Sequence, residues 1–159
     1  MNKEIKRQFN LFKEHYDSPI CSPQLKWSEK YKTAELQDYT PIIAIMDFNY
    51  CSSLKSITIP DSVKEIGLGA FRWCALLESV TIPESVTRIG CYAFMGCTSL
   101  HKIVIPESVT SIGDAAFGDC DNLKAIYVPK KKVDFYKKRF PTDMHWLIVE
   151  EGADLPVKP

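Results

Sequence analysis

The side chains with the most chemistry to offer are six cysteines and three histidines. A thiolate can act as a nucleophile or a metal ligand, and an imidazole can serve as its base or share its metal. Four of the cysteines, Cys51, Cys74, Cys97 and Cys120, recur at intervals of 23 residues. Zinc sites draw on closely spaced ligand pairs such as Cys-x-x-Cys, and the chain has none. His15, His101 and His145 lie far apart, and none stands beside a cysteine or serine as a nucleophile–base pair would. The glycines fall at repeated positions rather than in a phosphate-cradling loop, and the carboxylates are scattered. This pattern predicts no catalytic set, no cofactor and no metal, so the chain reads as a non-enzyme.

The cysteine interval leads to the elements that set it. Leu54, Leu77, Leu100 and Leu123 follow three residues after the cysteines, and Ile57, Val80, Ile103 and Ile126 come next. Ile59, Ile82, Ile105 and Val128 then precede Pro60, Pro83, Pro106 and Pro129. The rest of the unit repeats as Val63/Val86/Val109, Ile66/Ile89/Ile112, Gly67/Gly90/Gly113, Ala70/Ala93/Ala116 and Phe71/Phe94/Phe117. Alternating β-branched residues predict a short half-buried strand, which proline ends because it has no N–H to donate. The glycine after isoleucine is expected to supply a tight or positive-φ turn. Ala-Phe-x-x-Cys reads as one short helical or 3₁₀ turn. A unit this short cannot bury its own apolar edge, so successive units must stack into a solenoid with identical residues above one another. In such a ladder the cysteines point in parallel, which is awkward for disulfides and suits small buried hydrophobes.

The motif Leu-x-x-φ-x-φ-Pro-x-x-φ-x-x-Ile-Gly-x-x-Ala-Phe-x-x-Cys, with φ isoleucine or valine, resembles the BspA-like leucine-rich repeat family over about residues 40 to 150. Commoner leucine-rich repeats carry asparagine where this chain has Ser62, Ser85 and Ser108, and these hydroxyls are expected to bond neighbouring backbone. The fold expected is a leucine-rich-repeat solenoid, a right-handed single coil with about four strands in a short parallel sheet on its concave face. The resemblance implies a bacterial surface or secreted protein that binds other proteins.

Residues 1–33 form an N-terminal capping segment, in which Ile5, Phe9, Phe12 and Tyr16 share one helical face before Pro19 and Pro23. Repeats occupy 34–129, with a worn first unit at 34–50 and further units from 51, 74, 97 and, in part, 120. A C-terminal cap follows over 130–150. There Val133, Tyr136 and Phe140 mark a helix face, and His145–Val149 reads as a strand. Residues 151–159 read as a flexible tail.

With the core columns fixed by packing, function falls to the columns that vary. The outward strand positions Ser56/Thr58, Ser79/Thr81, Lys102/Val104 and Ala125/Tyr127, with His101 and Lys124 beside them, form one candidate surface. The pairs before each cysteine form another, and there Tyr50, Arg72, Trp73 and Met95 are expected to cluster on one edge. Tryptophan, tyrosine and arginine are the residues enriched at binding hot spots. An N-terminal lid carrying Leu25 and Trp27 is the competing use of that edge. The primary reading is a protein partner of unknown identity bound at one of these surfaces, by a chain expected to be monomeric and to take no small-molecule substrate. The alternative is a structural or spacer module within a larger surface protein. Nucleic acid or an anionic surface is a minor alternative, resting on seven positive residues between Lys124 and Arg139 interleaved with Tyr127, Phe135 and Tyr136. Lysine plus arginine equal aspartate plus glutamate at 20 each, so no whole-chain field selects a charged partner. No apolar run is long enough for a signal core or a membrane span, which takes about 18 residues. As the sequence stands it is expected in the cytoplasm, and at the cell surface or secreted if it is a piece lacking its leader.

Overall fold

A computed structural model describes residues 25–28, 33–36, 42–43, 47–140 and 142–156, with side chains for most of them. The helix expected over Ile5–Tyr16 lies outside the described residues, as do the side chains of Leu25 and Trp27. From Thr33 onward the chain winds into a stack of parallel coils. The principal strands are β2 (Thr33–Leu36), β4 (Ser56–Thr58), β6 (Ser79–Thr81), β8 (Lys102–Val104) and β10 (Ala125–Val128). Their register holds the 23-residue interval: Ala34 faces Ile57, Ile57 faces Val80, and Ile103 faces Ile126. Strand β1 (Leu25–Ser28) pairs antiparallel with β2 and caps the first coil's edge with backbone bonds.

Each coil also contributes a second, two-residue strand on its return path. These are β3 (Ile42–Ile43), β5 (Glu65–Ile66), β7 (Arg88–Ile89) and β9 (Ser111–Ile112), and they form a continuous parallel ladder. The sequence reading has only a turn there. A single β-branched column without alternation gives too short a signal for a strand, and neighbouring coils supply the pairing.

Between the two ladders the repeated apolar columns meet. The leucine column and the Val63/Val86/Val109 column are buried throughout, as are Ala70, Ala93 and Ala116. Phe48, Phe71, Phe94 and Phe117 stack face to face, with centroids 4.9, 5.1 and 5.4 Å apart. Each fully buried large apolar side chain is worth roughly 1.5–3 kcal/mol, so these columns dominate stability.

The expected tight turn is there, with the Ala70, Ala93 and Ala116 amides donating to the Gly67, Gly90 and Gly113 carbonyls at 3.3 Å, but it does not use positive φ at the glycine. Gly67, Gly90 and Gly113 do not have positive φ; that conformation falls two residues later, at Gly69, Tyr92 and Ala115, and again before each cysteine. What demands glycine is proximity: a Cβ on Gly113 would stand 2.3 Å from the Cys91 nitrogen, and one on Gly90 would stand 2.7 Å from the Gly67 carbonyl carbon. The coils touch backbone to backbone along this column.

At the C-terminal end, α1 (Val133–Lys137) leads into a 3₁₀ helix (Thr142–Leu147) and β11 (Ile148–Glu150), which pairs parallel with β10. His145–Leu147 thus belong to the 3₁₀ helix rather than to the expected strand. The cap keeps the phase of the repeat. Phe140 lies 23 residues after Phe117 and stacks on it at 5.8 Å, and Tyr136 is fully buried with its hydroxyl donating to the Val109 carbonyl at 2.8 Å.

Candidate partner-binding surfaces

The cysteines are part of the framework. The thiol of Cys74 donates to the Phe48 carbonyl at 3.0 Å, that of Cys97 to Phe71 at 3.2 Å and that of Cys120 to Phe94 at 3.1 Å. Each satisfies a carbonyl of the preceding coil, in the manner of an asparagine ladder. Burial pushes the Cys120 thiol up to about 12. Cys97 is pushed higher still, by burial first and then by its neighbour Cys74. The Cys97 and Cys120 thiols are held protonated and inert, and Cys91, Cys97 and Cys120 are in no disulfide. The expected serine bonds form in part. Ser85 donates to the Val63 carbonyl at 2.7 Å, whereas the buried Ser108 hydroxyl finds no partner among the described residues.

Among the described residues no group of three or more histidine, cysteine, aspartate or glutamate side chains could hold a metal ion. The His145 ring nitrogen Nε2 lies 3.0 Å from the Phe140 carbonyl, while His101 is exposed on another coil.

Tyr50, Arg72, Trp73 and Met95 come together as the pre-cysteine edge. Tyr50 and Trp73 both hold positive φ, and their rings lie nearly parallel with centroids 6.4 Å apart. Beneath Trp73 sits Gly96, whose absent Cβ would stand 2.3 Å from the indole ring. Met95 similarly lies over Gly118, with its Cγ 3.8 Å from where a Cβ would be. Large residues of one coil therefore seat on glycines of the next. Trp73 and Met95 are half-buried in consequence, Arg72 is half-buried beside them, and Tyr50 is exposed. The sequence held the signal for these seats, since glycine follows tryptophan and methionine after 23 residues in each column.

On the principal sheet the alternation works as expected. Ile57, Val80, Ile103 and Ile126 point inward and are buried. Thr58, Ser79, Thr81, Lys102 and Val104 are exposed, while Ser56 and Tyr127 are half-buried. His101 and Lys124, one residue ahead of their strands, are exposed as well. Ala125 departs from the outward expectation, because it is fully buried beside the C-terminal cap. The sheet is also not continuous. Hydrogen bonding joins β1-β2-β4-β6 and, separately, β8-β10-β11, so a seam runs between β6 and β8.

In the basic stretch, Lys132 pairs with Glu107 at 2.8 Å, and Arg139 lies 3.6 Å over the Phe135 ring while donating to the Phe135 carbonyl. Tyr136 is core rather than a stacking aromatic, which corrects the interleaved-aromatic reading of that segment. No helix among the described residues is long and apolar enough to cross a membrane.

A family model described as a BspA-type leucine-rich repeat region matches residues 20–143 in six copies. A leucine-rich repeat protein from Bacteroides ovatus is 40% identical over 59% of this chain and 24% of its own, with a TM-score of 0.56. One from Bacteroides capillosus is 30% identical over 70% of this chain and 78% of its own, with a TM-score of 0.53. A leucine-rich cell surface protein from Faecalibacterium prausnitzii is 27% identical over 72% of this chain and 36% of its own, with a TM-score of 0.55. The chain thus spans less than half the length of the first and the last of these. No curated protein sequence matches it.

Proposed function

Because the chain belongs to the BspA-type leucine-rich repeat family, we propose that it is a non-enzymatic recognition module that binds a protein partner through the outward face of its principal sheet. One observation carries this reading. The inward strand positions are uniform and buried, whereas the outward Thr58, Ser79, Thr81, Lys102 and Val104 are exposed and change along the stack, from Ser79/Thr81 to Lys102/Val104. Side chains freed from packing and arrayed on a rigid sheet are what a repeat protein offers a partner. The Tyr50/Trp73 edge ranks second, since its half-buried members are already seated on the next coil. A cell-surface setting fits best with a relative described as a cell surface protein. The chain acts as a monomer in this reading.

The test is affinity capture with the full chain and two paired variants. Thr58→Arg with Thr81→Arg is expected to lose a saturable protein partner, and Tyr50→Ala with Trp73→Ala to keep it. The reverse pattern transfers binding to the edge. No saturable partner for any form would leave a structural spacer as the better reading.

A further inference from the structure

Along the pre-cysteine edge the apolar side chains are graded rather than repeated. The column just before the cysteines reads Tyr50, Trp73, Gly96 and Asp119, and the column after the glycines reads Leu68, Cys91 and Asp114. Large apolar residues thus stand on the first coils and aspartates on the fourth. Tyr50 is 48% exposed and Tyr92 42%. Tyr92 belongs to the same edge. Ala115 Cβ lies 3.4 Å from where a Gly118 Cβ would stand, and one interval earlier these two positions hold Tyr92 and Met95.

The coils do not need these aromatics. Tyr50, Trp73 and Tyr92 have φ of 60°, 59° and 58°, while Gly69 and Gly96 make the same turns in the same columns without a side chain. A bulky residue in the left-handed region strains the backbone, and such strain points to a further use for the side chain.

The gradient runs away from one end of the stack, where the chain itself has a segment to place. Residues 1–24 run into β1, which pairs with the first coil and holds Leu25–Ser28 at the sheet. The edge is therefore left to the residues ahead of β1. Among them Ile5, Phe9, Phe12 and Tyr16 fall on one face of a helix. Asp17–Gln24, when extended, spans up to ~26 Å, against about 10 Å between packed sheets, so the tether reaches across a coil. It also holds its segment at an effective concentration in roughly the millimolar range, which favours it over a free competitor.

Length and charge agree with this occupant. A helix rises ~16 Å from Ile5 to Tyr16, and the three coil steps from Tyr50 to Asp119 cover ~14 Å. With Tyr16 tethered near the first coil, the opposite end of the helix reaches the fourth. That end carries Lys3, Lys6 and Arg7 against one carboxylate, Glu4. Asp114 and Asp119 wait there, both exposed and paired with no cation among the described residues.

We infer that Ile5–Tyr16 lies along the pre-cysteine edge as a helix. Its apolar face covers Tyr50, Trp73 and Tyr92, and its cations meet Asp114 and Asp119. The outward face of the principal sheet stays open to an outside partner.

A photo-crosslinking residue in place of Phe9 in the full chain tests this contact, with adducts mapped by mass spectrometry. Adducts are expected within one chain, on residues 68–96. Asp114→Lys/Asp119→Lys is expected to cut their yield by about fivefold or more, since two exposed ion pairs become repulsions. Adding Lys6→Glu/Arg7→Glu to that variant should restore the yield, a rescue that a folding defect would not show. Adducts on the outward residues of β4 and β6, no adduct at all, or a yield indifferent to charge reversal overturns the inference. Adducts formed only between chains, rising with concentration, overturn it too and give the edge to a second copy.

Discussion

The third and fourth coils meet on two sides that differ in kind. On the arch side, Gly113 and Cys91 touch backbone to backbone, Phe94 donates to Ala116 at 2.7 Å, and β7 pairs with β9. On the sheet side, β6 and β8 share no ladder. The same pair of coils is thus clamped at the arch and, at the sheet, lies in contact without a strand ladder. Cohesion resides in the arch and the columns behind it, so the sheet's outward face can vary without loss of fold.

The sharpest way to break that contrast is to cut a column. Phe94→Ala, in the middle of the stacked ring ladder, is expected to cost about 3–5 kcal/mol in denaturant unfolding. Thr81→Ala on the outward face should change stability by less than about 0.5 kcal/mol. Similar costs at the two sites would refute the division of labour.

Gly113→Ala probes the clamp itself and is expected to cost about 1–3 kcal/mol through overpacking against Cys91. Gly118→Ala is the control, because its Cβ would find its nearest neighbours at 3.4 Å, and it should be far milder.

Alkaline pH tests the thiol ladder. In the folded chain burial raises the Cys120 thiol from 9.0 to about 12, and Cys97 is raised further. Below pH 9.0 both states keep these protons and stability does not change. Above it the unfolded chain releases protons that the folded chain retains, so stability falls as pH rises toward about 12. Urea midpoints measured through that window should decline, and less steeply in Cys97→Ala/Cys120→Ala.

The smallest effect belongs to the sheet-side ion pair. Lys55→Ala removes its contact with Glu78, and both side chains are about half exposed. The expected cost is under about 1 kcal/mol and is further reduced by salt.

Much of this was legible in the chain. The columns name the inward residues, and Phe48, Phe71, Phe94 and Phe117 stack as their interval requires. Phe140 sits one further interval along, but a local helical pattern masks it, since Val133, Tyr136 and Phe140 fit a helix face equally well. The glycine column announces a constraint without saying which, because φ and close approach demand the same residue. Strand β1 and the seam had no signal. Hydrogen-bond pairing depends on how coils tilt against each other, and residue type at one position does not report that tilt. Lys102 and Lys124 stood out as variable, but their lack of carboxylate partners among the described residues emerged only once neighbouring coils were in place.

The most direct test of the central claim is site-specific photo-crosslinking with the full chain and its captured partner. A crosslinker at Thr81 or Lys102 is expected to yield the adduct, and one at Tyr50 or Tyr92 to yield none. Adducts from Tyr50 or Tyr92 with Thr81 and Lys102 silent would contradict the account, placing recognition on the clamped side of the coils.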